Sequence, residues 1–171
     1  MSTTKANTLP YLQPASAAQW AVLHWRFSGQ NSQGENMLNQ PRGIRNNNPG
    51  NIRHGEPWKG LHPEQTDKSF CRFIGPEWGY RALFVLMRTY ERKYGLCSVR
   101  DIINRYAPPV ENNTEGYIQR VAKELNVSPD DCLSVMQKDV LFALAEAITR
   151  VENAGQQPWG IAEMQKGLDL L

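Results

Sequence analysis

The chain is poor in the residues that carry metal, disulfide or nucleic-acid chemistry. Its 171 residues include only three cysteines and three histidines. Cys71, Cys97 and Cys132 lack metal-ligand spacing, and their odd number reads as buried free thiols of a protein made in a reducing cytosol. His24, His54 and His62 show no metal or triad spacing, and no glycine-rich phosphate loop follows a predicted strand. No metal and no cofactor is therefore expected. The formal net charge is only +2 and the basic residues form no stripe, which argues against nucleic acid and is mildly compatible with an anionic partner. The N-terminus has one lysine and no sustained apolar run, so neither a signal peptide nor a membrane span is expected.

What is present suits one globular domain with an attached arm. Apolar residues make up 40% of the chain, enough for a core. Residues 1–40 read as an arm, an apolar helix at 15–27 carrying Trp20 and Trp25, and a polar linker. Residues 41–171 read as the main, mostly helical domain with one small hairpin. In it, Ser69-Phe70-Cys71-Arg72-Phe73 alternates like a short strand. Pro76 and Glu77 open a helix that Gly95 ends, and Ser98 caps the next, which the Pro108-Pro109 pair stops. Thr114 begins another, Ser128-Pro129-Asp130-Asp131 reads as a further start, the most apolar helix covers 139–151, and a last one covers 161–170.

The most informative stretch is Arg42-Gly43-Ile44-Arg45-Asn46-Asn47-Asn48-Pro49-Gly50-Asn51-Ile52-Arg53. Pro49 and Gly50 suit the central positions of a β-turn, with Ile44 and Ile52 as anchors on either side. The loop would present several carboxamides able to donate and accept hydrogen bonds, as hydroxyl- and N-acetyl-bearing sugars require. A ligand-free, asparagine-rich turn fits the composition equally well.

Two glutamates stand in contrasting places. Glu152 follows the most apolar helix, where the helix dipole and apolar neighbours both disfavour ionisation and suit a general acid. Glu111 lies just before the helix carrying Tyr117, whose positive end favours a charged carboxylate suited to a base, nucleophile or stabiliser. The plain alternatives are a solvated helix-end residue and a cap. Glycoside hydrolysis generally uses two carboxyl groups in opposite protonation states. Glu35 is a third candidate in a polar setting, and Trp58, Trp78 and Trp159 are either sugar platforms or core residues.

The asparagine motif, together with Trp58-Lys59-Gly60, Gly79-Tyr80-Arg81-Ala82-Leu83, Ala107-Pro108-Pro109, Glu111-Asn112-Asn113-Thr114, Tyr117-Ile118 and Glu152-Asn153, resembles a group of phage and prophage proteins often called virion structural proteins. More distantly, Asn47-Asn48-Pro49-Gly50-Asn51-Ile52 is similar to the loop of bacterial glucosaminidases and lysozyme-like hydrolases. That resemblance implies a lysozyme-like fold acting on peptidoglycan, by a phage enzyme or an antibacterial effector. A glutamate helix should then precede the asparagine loop. Here Glu152 lies at the far end of the chain and would take that place if the elements were circularly permuted.

The function expected is thus a muramidase-type glycosidase cleaving the β-1,4 glycan backbone of the cell wall. Glu152 would act as acid and Glu111 as stabiliser or base, with Asn47, Asn48, Asn51, Trp58, Asn112 and Tyr117 lining the cleft. The alternative is a non-catalytic peptidoglycan-binding or virion structural module, and a weaker one is a toxin of another class. The partners expected are peptidoglycan strands, with a delivery apparatus or an immunity protein. The protein would be made in the cytoplasm and act in the periplasm or cell wall after delivery by a holin, a virion or a secretion system.

Overall fold

The computed structural model of the chain describes residues 39–108 and 113–171. The expected N-terminal helix, Glu35, Glu111 and Asn112 lie outside the described residues. Within them the chain is mainly helical: α1 (Arg42–Arg45), α2 (Pro76–Tyr94), α3 (Val99–Tyr106), α4 (Thr114–Leu125), α5 (Lys138–Glu152) and α6 (Ile161–Asp169).

Local signals set most of these boundaries. Pro76 occupies the first turn of α2, and Gly95 closes it in the left-handed conformation at φ 66°. Ser98 and Asp101 form a reciprocal capping box on α3: the Asp101 N–H donates to Ser98 Oγ at 3.0 Å, and the Ser98 N–H donates to the Asp101 carboxylate at 3.4 Å. Asn113 caps α4 by accepting from the Gly116 N–H at 3.1 Å.

The expected helix start at Ser128 is instead a turn. The Asp131 carboxylate accepts from the Ser128 N–H at 2.9 Å, and the Asp131 N–H donates to the Ser128 carbonyl at 3.1 Å. Just beyond, Cys132 is joined to Cys97 by a disulfide, and Leu133 N–H donates to the Cys97 carbonyl at 2.7 Å. That corrects the expectation of three free thiols. Cys71 alone is free, and it is buried.

A single apolar core joins all the longer helices. α2 supplies Tyr80, Leu83, Phe84 and Met87 at helical spacing, and α5 supplies Leu141, Leu144, Ala145 and Ile148. α3 adds Ile102, Ile103 and Tyr106, α4 adds Ile118 and Val121, and α6 adds Met164. α2 lies along α6 and against α5, while α4 packs on both α3 and α5.

The hairpin is reduced to isolated antiparallel bridges, Arg53↔Phe70 and Leu61↔Phe73. The segment 69–74 pairs first with 52–54, through Cys71 N–H to Ile52 O at 2.8 Å. It then pairs with 60–62, through Ile74 N–H to Gly60 O at 2.9 Å. Each pairing makes only two such bonds, the others being His54 N–H to Ser69 O and His62 N–H to Arg72 O, so no continuous strand develops.

Candidate functional site

The asparagine motif is a one-turn helix followed by a tight turn, and each asparagine has its own task. The Asn51 N–H donates to the Asn48 carbonyl at 3.0 Å, which places Pro49 and Gly50 at the two central positions of a β-turn. Asn47 and Asn51 stand at φ 50° and 47°, a left-handed conformation that asparagine tolerates better than most side chains. Asn46 Nδ2 donates to Asp67 Oδ2 at 3.1 Å, and Asn47 Nδ2 donates to the Phe73 carbonyl at 3.1 Å.

Asn48 is fully buried. Its amide donates to the Ile52 and Cys71 carbonyls at 2.9 and 2.8 Å, and its oxygen accepts from the Ile52 N–H at 2.8 Å. Both of its donors are therefore committed inside the protein, which leaves none to offer a ligand.

Asn51 alone reaches across the molecule. Its Nδ2 donates to both the backbone carbonyl and Oε2 of Glu152, each at 3.0 Å. Glu152 is the last residue of α5. It follows Leu141, Ala145 and Ile148 at helical spacing, so its side chain falls on the buried stripe of that helix and is only 6% exposed. Its other oxygen, Oε1, accepts from the Tyr117 hydroxyl of α4 at 3.0 Å. The expected acid, one loop asparagine and the expected tyrosine thus meet at one point.

Burial raises the Glu152 carboxyl from its ordinary 4.5 to about 8, against the hydrogen bonds from Asn51 and Tyr117, which lower it. At neutral pH the group carries its proton. Desolvation and the neighbouring Glu152 likewise push the Tyr117 hydroxyl well above its ordinary value. Tyr106 is raised by the same two causes and by Tyr90. A cluster of neutral acids occupies the junction of α3, α4, α5 and the asparagine turn.

Asn153, next to Glu152, was not among the expected site residues. Its amide donates to the Pro49 carbonyl at 3.1 Å and to the Thr149 carbonyl at 2.9 Å, binding the end of α5 to the turn. Gly43 permits this approach: an added Cβ would strike the side-chain oxygens of Asn153 and Asn51.

No family model matches the chain. Protein P5 of Pseudoalteromonas phage PM2 is 39% identical to it over 132 residues, covering 75% of this chain and 80% of that protein. The chain belongs to this phage protein's family.

The other expected residues of this phage-family chain take separate places. Trp58 is partly buried against the core. Trp78 closes over Gly60, and Trp159 meets Tyr80 edge-on at 6.1 Å between ring centroids, so both have packing roles. His54 Nδ1 lies 3.8 Å from Cys71 Sγ, which also donates to the Arg53 carbonyl at 3.2 Å. Burial pushes the Cys71 thiol up to about 11, so the pair holds no ready thiolate nucleophile. Among the described residues no group of three or more His, Cys, Asp or Glu is placed to hold a metal. No helix among them is long and apolar enough to cross a membrane.

Proposed function

We propose that this phage-family protein is a peptidoglycan-directed glycosidase with Glu152 as its general acid. The observation that carries the reading is the buried Glu152 carboxyl, oriented by Asn51 and Tyr117, whose burial raises its pKa to about 8 and favours the acid form. In the step proposed, the Glu152 O–H bond breaks and its proton passes to the glycosidic oxygen. The anomeric C–O bond breaks as the leaving sugar departs, and a water oxygen forms the new bond to the anomeric carbon. That water's proton passes to Glu111 or solvent, from which Glu152 is reprotonated. Glu111 is the proposed stabiliser or base, and Asn47, Trp58 and Asn112 the proposed contacts along the glycan. A lysozyme-like fold, with the acid permuted to the far end of the chain, belongs to the same proposal. The Cys97–Cys132 disulfide supports action in an oxidising compartment outside the cytoplasm, after delivery by a virion, holin or secretion system.

The test is muropeptide release from purified walls by wild type, Glu152→Gln and Glu111→Gln. Wild-type activity should fall about 100-fold or more in Glu152→Gln, the usual scale for losing a general acid. Wild-type rates in both variants would sink the assignment.

A second reading is a non-catalytic wall-binding or virion structural module. It is favoured by the 6% exposure of Glu152 and by both its oxygens being bonded within the protein. Kinship with a phage protein bears on it more directly than on the first reading, since it requires no chemistry. Retention on insoluble peptidoglycan with no muropeptide release, unchanged in Glu152→Gln, is the outcome that selects it.

A further inference from the structure

The first three carbonyls of the asparagine turn are all occupied. Asn48 O accepts from the Asn51 N–H at 3.0 Å, Pro49 O accepts from Asn153 Nδ2 at 3.1 Å, and Gly50 O accepts from the Tyr106 hydroxyl. Tyr106 is fully buried on α3, and the backbone at Gly50 comes so close that an added Cβ would collide with its hydroxyl and crowd Leu83. Asn51 is the residue that follows Gly50. Its backbone is held at φ 47°, and its amide is shared between the Glu152 carbonyl and carboxyl. A continuous path therefore runs from the α3 hydroxyl through one peptide to the carboxamide on Glu152.

We propose that Tyr106 is a positioning residue for Glu152, acting through the Gly50 carbonyl and the Asn51 carboxamide. The path itself stands on the contacts above. Its bearing on catalysis rests on the glycosidase reading. Without the Tyr106 hydroxyl, Gly50 O loses its buried donor and the turn is free to shift, which takes the Asn51 amide off the carboxyl. That amide hydrogen-bonds to the charged form of Glu152, so loosening it makes ionisation harder. The other titratable groups acting in this cluster are Tyr117 on α4, Tyr90 of α2 acting on Tyr106, and Arg120 acting on Tyr117.

A tyrosine serving only as core packing predicts something different: lower stability with no change at Glu152. The experiment is an NMR titration of the Glu152 carboxyl carbon in wild type, Tyr106→Phe, Asn51→Gly and the double variant. Phenylalanine keeps the buried ring, and glycine suits the left-handed backbone at position 51. Asn51→Gly is expected to move the midpoint upward by roughly half a pH unit or more, and Tyr106→Phe to move it the same way. In the Asn51→Gly background Tyr106→Phe should add nothing. A lowered melting temperature with an unmoved midpoint overturns the proposal, as does an equal shift with and without Asn51. The titration reads Glu152 directly and is decided even if wild type releases no muropeptides, a result that would sink only the glycosidase reading. If wild type does lyse walls, the alkaline limb of kcat/KM in Tyr106→Phe should move with the NMR midpoint.

Discussion

The region before Pro76 and the helices after it are held together by different means. Between Arg42 and Ile74, side chains bind backbone. Asn47 and Asn48 hold the Phe73, Ile52 and Cys71 carbonyls, and Asp67 accepts from the Ser69 and Phe70 N–H groups. Burial raises the Asp67 carboxyl, but those N–H groups, Asn46 and Arg42 together hold it below its ordinary range. The helical region instead rests mainly on a contiguous set of apolar side chains from five helices, to which the loop region adds Ile52, Cys71 and Phe73. Polar groups that fix a loop are as costly to remove as methylenes in a core, because each deletion strands a buried partner. Glu152 is the point where the two modes meet, a polar residue on an apolar stripe, gripped by the loop.

That contrast can be broken or sharpened by measurement, and the largest effect belongs to the junction. The folded-state value of Glu152 is raised from 4.5 to about 8, so the native state holds a proton that the unfolded chain gives up. The stability associated with that proton is complete below about pH 4.5, declines as pH rises, and is lost through pH 8. At about 1.4 kcal/mol per pH unit the decline amounts to roughly 4–5 kcal/mol. Urea titrations across that window should show it in wild type and not in Glu152→Gln. Equal pH profiles would mean that Glu152 is not buried in solution.

Next in size is a direct comparison of the two regions. Asn48→Ala removes three buried hydrogen bonds and should destabilise by about 3–4 kcal/mol. Leu144→Ala in the core is expected to fall in the range of about 2–5 kcal/mol. A loss under 1 kcal/mol for Asn48→Ala would show that the loop is not held as described.

The disulfide should contribute about 4 kcal/mol by closing a loop over a separation of 35 residues. Thermal melts with and without reductant would measure it. Mass spectrometry after alkylation should find no modified thiol in the native protein, because Cys71 is buried, and two after mild reduction. The smallest effect is that of Ser98→Ala, which deletes one cap of α3 and should cost about 1 kcal/mol in the same melts.

Helix ends were legible because the signals are local. Pro76, Gly95, Ser98 and Thr114 each act within one turn of their own position, and the structure places α2, α3 and α4 accordingly. The Pro49-Gly50 turn was legible for the same reason. The Cys97–Cys132 pairing was not, since spacing along the chain says nothing of two segments brought together only when α3 and α4 pack. Nor could composition separate Asn48, spent on the loop itself, from Asn51, which reaches Glu152, since both are asparagines beside a turn. One signal was available for the burial of Glu152: it lies four residues beyond Ile148 on the stripe begun by Leu141. The roles of Tyr106 and Asn153 depend on which carbonyls the turn exposes, and no periodicity encodes that.

The bond between Asn51 and Glu152 spans 101 residues of sequence. Contacts of that span require the largest loop closure and tend to form late in folding. During synthesis Asn51 leaves the ribosome long before α5 exists, so no nascent chain that ends before Glu152 can contain the assembled acid cluster. The protonated carboxyl thus reports that α5 has docked against the asparagine turn. Any chemistry it performs is withheld from the nascent protein by the order in which the chain is made.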